Sequence, residues 1–213
     1  MNYLGPTAAI AAFRLYQAQK FAASTEGNFL FLGWGPRGTG KTTLLRQIAQ
    51  TLTRMGSDTS PDLRQAQCLG LVDYRNGQSV SVDVVRKWRD TVCYKPMFVE
   101  APTRRVFWVD ECDGMGDAAL NEWRTFIDTL PAGNDVLLST NRDLGALQPQ
   151  LQSRAMQSEF KSIPPEDIIP HLVALGLPET AAAGIAGACG GDVRAALNDA
   201  RSALDYIEML RAA

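Results

Sequence analysis

The sequence predicts an α/β fold, in which a parallel five-stranded sheet is flanked by helices and followed by a small all-helical domain. Short apolar runs alternate with longer helical patterns along most of the chain, which is typical of a parallel sheet covered on both faces. One run leads directly into a glycine-rich turn and then a helical pattern. Pro164 and Pro165 interrupt the chain, and only helical sequence rich in Ala, Leu and Ile follows them. The predicted domains are therefore residues 1–161 and 162–213.

The strands of this sheet are predicted from five short runs. Four runs are almost continuously apolar, as expected of strands that are buried on both faces of a parallel sheet. The fifth run is weaker because polar residues interrupt it. The predicted strands are residues 29–33, 69–73, 105–110, 135–140 and the weaker 156–160.

Helices are predicted between these runs, and the first 20 residues also have a helical pattern. A stretch rich in Gly, Ser, Asp and Pro at residues 56–62 predicts a flexible loop. The predicted helices inside the α/β domain cover about 41–54, 80–92, 117–130 and 143–152.

Composition excludes several classes of protein. The chain has 213 residues, 46 % of them apolar, which is enough for a sizeable core. Its 21 basic and 23 acidic residues nearly balance, so any contact with nucleic acid must come from a local patch. The four cysteines form no C-x-x-C pair, which predicts reduced thiols in the core instead of a disulfide or zinc framework. Without an N-terminal apolar run, we expect a soluble cytoplasmic protein with no membrane contact.

The glycine-rich turn fits the phosphate-binding pattern G-x-x-x-x-G-K-[ST], and its place between a strand and a helix is the context that this pattern requires. Glycine permits the positive φ angles that turn successive N–H groups toward an anion, and the following helix N-terminus adds its dipole. Lys41 would contact the phosphates, and the hydroxyl of Thr42 would bind Mg²⁺. The residues predicted to bind ATP here are Gly35, Pro36, Arg37, Gly38, Thr39, Gly40, Lys41, Thr42 and Thr43.

Two adjacent acids, Asp110 and Glu111, end the third predicted strand. After a phosphate-binding turn, such an Asp can hold Mg²⁺ and the adjacent Glu can polarise the attacking water. The alternative is a solvated turn with no chemistry. A small-molecule kinase would not need a water-activating acid, so the pair favours ATP hydrolysis.

Five motifs in this order resemble the AAA+ ATPases, and among them the clamp-loader group that includes replication factor C and the bacterial loader subunits. The segments resemble Walker A, Walker B, sensor 1, the S-R-C box and sensor 2, in chain order. They read GPRGTGKTT at 35–43, VFWVDECD at 106–113, LLSTN at 137–141, LQSRA at 151–155 and GGDVRAALN at 190–198. Arg37, Cys112 and Ala155 depart from the usual residues of the family.

The resemblance implies roles for residues outside the glycine-rich turn. Asn141 would hydrogen-bond the γ-phosphate or the attacking water, although an Asx turn after a strand is an alternative. Arg194 would reach the γ-phosphate from the helical domain, which would then act as a lid, and the alternative is a surface ion pair. Leu4 and Gly5 resemble the short segment that flanks adenine.

Arg154 carries the strongest implication for assembly. In the family, this arginine points at the ATP of a neighbouring subunit and completes that site in trans. The resemblance therefore implies a homo- or hetero-oligomer. A salt bridge that closes the last strand is the alternative.

A basic helix after the second predicted strand resembles the clamp-loader segment that faces DNA. Arg86, Lys87 and Arg89 could contact phosphates, while a solvated helix face is the alternative. Trp88 could belong to the core or stack on a base. Trp123 stands where the family usually has an arginine, so a DNA-coupling role at that position is not implied.

The function that the resemblance implies is a DNA-associated, clamp-loader-like ATPase that uses ATP and Mg²⁺ and works with a sliding clamp or another DNA-processing protein. The sequence stops before the helical collar of typical clamp-loader subunits, so we expect a motor without that collar. Two alternatives stay open: an ATP-dependent recruitment module for a nuclease, transposase or helicase with little turnover, and a small-molecule kinase.

Overall fold

The computed structural model describes residues 3–4, 6–24, 26–53, 63–94, 104–147 and 149–212. The loop predicted at 56–62 and the Gly5 position lie outside the described residues. None of the helices that the structure describes combines the length and the apolarity needed to cross a lipid bilayer.

The predicted parallel sheet is present, with five strands in the order β2-β3-β4-β1-β5. All four neighbouring pairs run parallel, so the strands end at one common edge, the carboxyl edge, and begin at the other, the amino edge. The strands are β1 (Leu30–Trp34), β2 (Val72–Asn76), β3 (Arg105–Asp110), β4 (Asn134–Thr140) and β5 (Met156–Glu159).

The second strand lies further along the chain than the predicted 69–73. Leu69 and Leu71 of that run belong to the turn that ends a short helix, where the N–H of Leu71 donates to the carbonyl of Ala66 at 2.8 Å, and the strand begins only at Val72. The strand itself, VDYRN, is polar because β2 pairs with β3 alone and is an edge strand of the described sheet. Only strands covered on both faces were recognisable as continuous apolar runs.

The helices near the site begin close to their predicted residues, with one exception. The predicted helix 143–152 is wrong, because Pro149 lacks an N–H and disfavours continuation of a helix from the preceding turn. A 3-10 turn, Leu144–Ala146, and a separate short helix replace it. The helices are α1 (Pro6–Ala22), α2 (Lys41–Leu52), α3 (Leu63–Cys68), α4 (Val82–Thr91), α5 (Asp117–Asp128), α6 (Pro149–Gln152), α7 (Pro165–Ala174), α8 (Glu179–Ala188) and α9 (Val193–Ala212).

Two apolar layers cover the two faces of the sheet. One layer packs α1, α2 and α3 against residues such as Phe31 and Trp108. The other packs α4 and α5 against residues such as Phe107, and it contains Trp88 and Trp123. Both of these tryptophans are almost fully buried, so they are core residues and do not offer a stacking surface. A third cluster joins α7, α8 and α9 to one another.

An ion pair buried at the amino edge fixes the start of the sheet. Arg104 and Asp135 are 1 % and 0 % exposed, and a guanidinium nitrogen lies 2.5 Å from a carboxylate oxygen. Arg104 also donates to the carbonyls of Phe21, Ser24 and Gly27, so every partner is a fixed protein group. Burial raises the pKa of Asp135, while hydrogen bonding and charge from Arg104 oppose that shift.

Candidate functional site

The glycine-rich turn, residues 35–40, connects β1 to α2 and is called the P-loop below. Its three glycines have φ angles of 130°, 74° and 95°, a region that other residues rarely adopt. Gly40 is the N-cap of α2 and provides no side-chain cap, so the first N–H groups of the helix are not capped by a side chain. The P-loop and the helix N-terminus together form a place suited to an anion.

Lys41 is only 6 % exposed and turns back onto the P-loop. Its Nζ donates to the carbonyls of Gly35 at 2.7 Å and Pro36 at 2.5 Å. The pKa of Lys41 is lowered to about 8; burial is the largest cause and the charge of Arg194 adds to it, whereas the charges of Asp110 and Asp192 oppose the shift. A bound polyphosphate would compensate the ammonium better than two neutral carbonyls do.

Asp110, at the end of β3, accepts hydrogen bonds from three hydroxyl groups, one on a helix and two on neighbouring strands. Thr42 Oγ1 donates to its Oδ2 at 3.3 Å, and Tyr74 does so at 3.4 Å. Ser139 of β4 donates to the other carboxylate oxygen. Mg²⁺ is bound by a few oxygen ligands together with phosphates, so the donor set of Thr42 and Asp110 beside the P-loop fits this ion.

Glu111 follows β3 and has a φ of 53°, which makes it the one non-glycine residue with positive φ in the part of the chain that the structure describes. Two amide side chains donate to its carboxylate. Asn141 Nδ2 lies 3.3 Å from one oxygen, and Asn76 Nδ2 lies 2.9 Å from the other. The predicted pair of Glu111 and Asn141 is therefore brought together, and Asn76 was missed.

Asn76 could have been found only with the strand in its true place. It ends β2, beside Asp110 in the β2–β3 register, so it belongs to the same carboxyl edge. A strand at 69–73 would have put Asn76 in a loop. Polar side chains that end adjacent parallel strands meet at that edge, which is the signal that a correct boundary would have given.

The cysteines differ from the expected core thiols. All four are free, which agrees with the absence of a disulfide framework, but Cys68 and Cys93 are exposed. Cys112, next to Glu111, is buried, and burial raises the pKa of its thiol to about 12. At the Cys112 position the departure from the family therefore adds an unreactive, apolar-like side chain.

Three predicted or adjacent groups lie in the helical region or pack against it. Leu4 packs against the α7–α9 cluster, and the exposed Arg194 lies near enough to Lys41 to affect its pKa. Asp192, which the sequence did not single out, lies against Gly38 of the P-loop. The remaining P-loop residues, Pro36, Arg37 and Thr39, stay on the turn, with Thr39 Oγ1 donating to the Pro36 carbonyl at 2.9 Å, and Thr43 lies in the first turn of α2.

Arg154 does not join the other site residues. Its Nε donates to Asp128, the last residue of α5, at 2.6 Å, and the two side chains are 37 % and 42 % exposed. Asp128 precedes β4, and Arg154 precedes β5, so this pair lies at the amino edge of the sheet. The P-loop follows the carboxyl end of β1, on the other edge.

The three basic residues proposed for DNA do not form one free face. Arg89 lies 2.7 Å and Arg86 lies 3.7 Å from carboxylate oxygens of Glu122 on α5. Lys87 instead lines a cavity of about 350 Å³ beside the edge strand β2. Trp88 Nε1 donates to Asp73 at 2.8 Å, so the polar atom of this buried ring already has a partner.

Comparison with known proteins gives both a family and a fold. Residues 31–162, more than half of the chain, match the family described as ATPase family associated with various cellular activities (AAA). Two relatives are DNA polymerase III subunit gamma from two Buchnera aphidicola subspecies, Schizaphis graminum and Acyrthosiphon pisum, each 24 % identical. The matches cover 88 % and 79 % of this chain but 57 % and 50 % of those relatives. The chain thus spans about half the length of the curated relatives it matches.

Solved structures share the fold at low identity. A DNA polymerase III gamma subunit-related protein from Thermotoga maritima is 20 % identical with a TM-score of 0.59, over 88 % of this chain and 57 % of that one. A point variant of RuvB from Thermotoga maritima is 18 % identical with a TM-score of 0.70, over 98 % of this chain and 64 % of that one. These likenesses establish a common architecture.

Proposed function

The chain belongs to the AAA family of ATPases, and from that premise we propose that it hydrolyses ATP at interfaces between copies of itself, as the motor of an assembly that acts on DNA. ATP would lie between two domains, residues 1–161 and 162–213, with adenine beside Leu4. One copy would supply the P-loop and the acids, and the next would supply Arg154.

The placement of Arg154 supports this proposal most directly. The groups that would bind phosphate, hold Mg²⁺ and polarise water all meet at the carboxyl edge of one sheet. Arg154 lies at the amino edge, partly exposed, in a surface ion pair with Asp128. A surface pair of this kind contributes about 0–1 kcal/mol, so the guanidinium can leave Asp128 for a phosphate at small cost.

Phosphate binding would exchange weak contacts for strong ones. Lys41 would leave the carbonyls of Gly35 and Pro36 and donate to the β- and γ-phosphates. The uncapped N–H groups at the start of α2 would donate to the same phosphates. Arg194 would approach from the lid and draw it toward the triphosphate.

Mg²⁺, when bound, neutralises charge on the phosphates and lowers the energy of the transition state. Thr42 and Asp110 would hold it. The hydroxyls of Tyr74 and Ser139 fix the orientation of the Asp110 carboxylate from both sides, so the oxygen that faces Thr42 is already in position.

Glu111 would accept the proton of the attacking water. Asn76 and Asn141 hold its two carboxylate oxygens from neighbouring strands, which limits rotation of the side chain. Asn141 would also hydrogen-bond the γ-phosphate or the water. This arrangement favours hydrolysis over phosphate transfer to a metabolite and over a recruitment module with little turnover.

The DNA-related part of the proposal comes from the relatives, which are named as DNA polymerase III subunit gamma. We therefore infer a DNA-associated role, with a sliding clamp or another DNA-processing protein as the client. Arg86, Lys87 and Arg89 are the proposed phosphate contacts. Because Glu122 already pairs with Arg86 and Arg89, DNA phosphates would have to displace that carboxylate.

The test is the ATPase rate per protomer across a wide range of protein concentration, with and without primed DNA. The proposal expects the rate to rise with concentration and Arg154→Ala to lower it by about 10³–10⁵-fold, with ATP binding retained. Arg124→Ala, which removes an exposed arginine of α5, is the matched control and should leave the rate unchanged. A concentration-independent rate that survives loss of Arg154 would contradict hydrolysis between copies.

A further inference from the structure

A carboxylate of the lid lies directly on the P-loop. Asp192 precedes α9, and a Cβ added to Gly38 would overlap its carboxylate group. The carboxylate thus occupies the space that a side chain at position 38 would fill. The Walker A pattern allows any residue at this position, but here only glycine leaves room for the acid and adopts the φ of 74°.

We propose that Asp192 is a charge-sensitive latch: its carboxylate holds the lid at the P-loop before a nucleoside triphosphate binds, and the phosphates of that ligand repel it. The proposal deepens the proposed function, because it rests on the P-loop being the nucleotide site. It adds a residue that opposes binding, whereas each residue discussed above favours it.

The latch has two sets of contacts. On the lid, Asp192 Oδ1 accepts the N–H of Ala195 at 3.0 Å and caps the start of α9, where the helix dipole favours an anion. On the other side, the carboxylate lies against Gly38 and acts electrostatically on the ammonium of Lys41. The negative charge therefore takes a place near the one that phosphate charge would take.

Arg194 lies two positions after Asp192, in the first turn of α9, and carries the opposite charge, so the two side chains would respond to bound phosphate in opposite ways. Both Asp192 and Arg194 act on Lys41, so both lie within electrostatic range of the P-loop. Bound phosphates would attract Arg194 and repel Asp192 at the same time. Asp192 would then hold the lid at the P-loop before ATP binds, and Arg194 would hold it there afterwards.

One substitution can separate the two roles of Asp192, which are to cap α9 and to carry a negative charge. Asn caps a helix about as well as Asp does, so Asp192→Asn keeps the hydrogen bond to Ala195 and removes the charge. Binding of a slowly hydrolysed ATP analogue and of ADP is measured by calorimetry at low and high salt. The matched control is Asp199→Asn, an exposed acid further along α9.

The latch predicts that Asp192→Asn tightens binding of the ATP analogue by about threefold to tenfold at low salt, and that of ADP by less. The gain should shrink at high salt, because a like-charge interaction is screened. Asp199→Asn should change neither affinity, and the thermal midpoint of nucleotide-free Asp192→Asn should fall only slightly, because the cap remains while the interaction of the charge with the helix dipole is lost.

Unchanged or weaker analogue binding by Asp192→Asn would overturn the latch, since the carboxylate would then be neutral or helpful to the ligand. If wild type binds the analogue and the variant is no better, the latch alone fails. If wild type binds no nucleotide, the proposed function fails together with the latch.

Discussion

The charged side chains at the two edges of the sheet have different kinds of partner. At the amino edge, Arg104 and Asp135 are almost fully buried and are bound to each other and to backbone carbonyls. At the carboxyl edge, Lys41, Asp110 and Glu111 are bound mostly by neutral carbonyls, hydroxyls and amides. At the amino edge, the opposite charges of one ion pair stabilise the fold. At the carboxyl edge, the charged groups have mostly neutral partners, and a ligand would supply the opposite charge.

This difference separates stability from function in one small domain. A buried charge without its partner is strongly destabilising, so the amino edge cannot lose one member of its pair. The charged groups of the carboxyl edge make neutral hydrogen bonds, and a phosphate or a metal ion would give them a stronger, charged partner, so this edge can receive both.

Among substitutions that act within a single copy, the largest effect is expected from Glu111→Gln at the carboxyl edge. The amide cannot accept a proton from water, so the hydrolysis rate should fall by about 10²–10⁴-fold, while ATP binding and the free energy of unfolding stay close to wild type. Steady-state ATPase, nucleotide binding and urea unfolding measure the three quantities. Glu166→Gln, on the lid helix α7, is the control, and a normal rate in Glu111→Gln would remove this residue from the mechanism.

Arg104→Met should give the reverse result at the amino edge. It leaves the carboxylate of Asp135 buried and unpaired, which should lower the free energy of unfolding by about 3–5 kcal/mol in urea titrations. Where the variant is still folded, its affinity for ATP should match wild type.

The control for that substitution is Lys161→Met, which breaks an exposed pair with Glu159 at 4.0 Å. That change should cost less than about 1 kcal/mol. An equal loss of stability in the two variants would show that burial does not decide the strength of these pairs.

Gly77→Ala should affect both stability and turnover, because the turn after β2 packs on the turn after β3 that carries Glu111. A Cβ at position 77 would overlap the backbone carbonyl of Glu111, whereas a Cβ at Gly116 would meet nothing within 4 Å. Gly77→Ala should therefore cost about 1–3 kcal/mol of stability and lower the ATPase rate. Gly116→Ala is the matched control, and equal stability of the two variants would contradict the close approach.

The smallest effect is expected from Asn76→Ala. This change frees one oxygen of Glu111 from a hydrogen bond of 2.9 Å, and one such bond is worth about 0.5–1.5 kcal/mol. Because this bond limits rotation of the Glu111 side chain, its loss should lower the ATPase rate by about twofold to tenfold. Asn141→Ala should lower the rate further, because Asn141 would also contact the γ-phosphate or the water, and an equal fall in both variants would contradict that second role of Asn141.

The sequence predicted the central strands of the sheet well and the edge strand β2 less well. The strands β1, β3 and β4 are buried on both faces, so their apolar runs identified them and the acids that end β3. The edge strand β2 has polar residues because part of it faces solvent, and its boundary was misplaced. Asn76 was missed for the same reason.

Contacts between distant segments were beyond sequence reasoning. Arg104 and Asp135 are 31 positions apart, and neither belongs to a motif, so nothing marked them as the buried pair. Asp192 was noticed only as part of the sensor 2 segment, because a sequence cannot reveal that its carboxylate lies on Gly38. Arg154 and Arg194 were identified from the resemblance, and their roles stay predictions.

A complementation assay tests the shared active site most directly. Lys41→Ala has no functional P-loop but keeps Arg154, and Arg154→Ala has the reverse defect. If ATP is hydrolysed between copies, mixing the two inactive proteins should restore ATPase activity that depends on the mixing ratio and is highest near equal amounts. A mixture that stays as inactive as its components at every ratio would contradict the account.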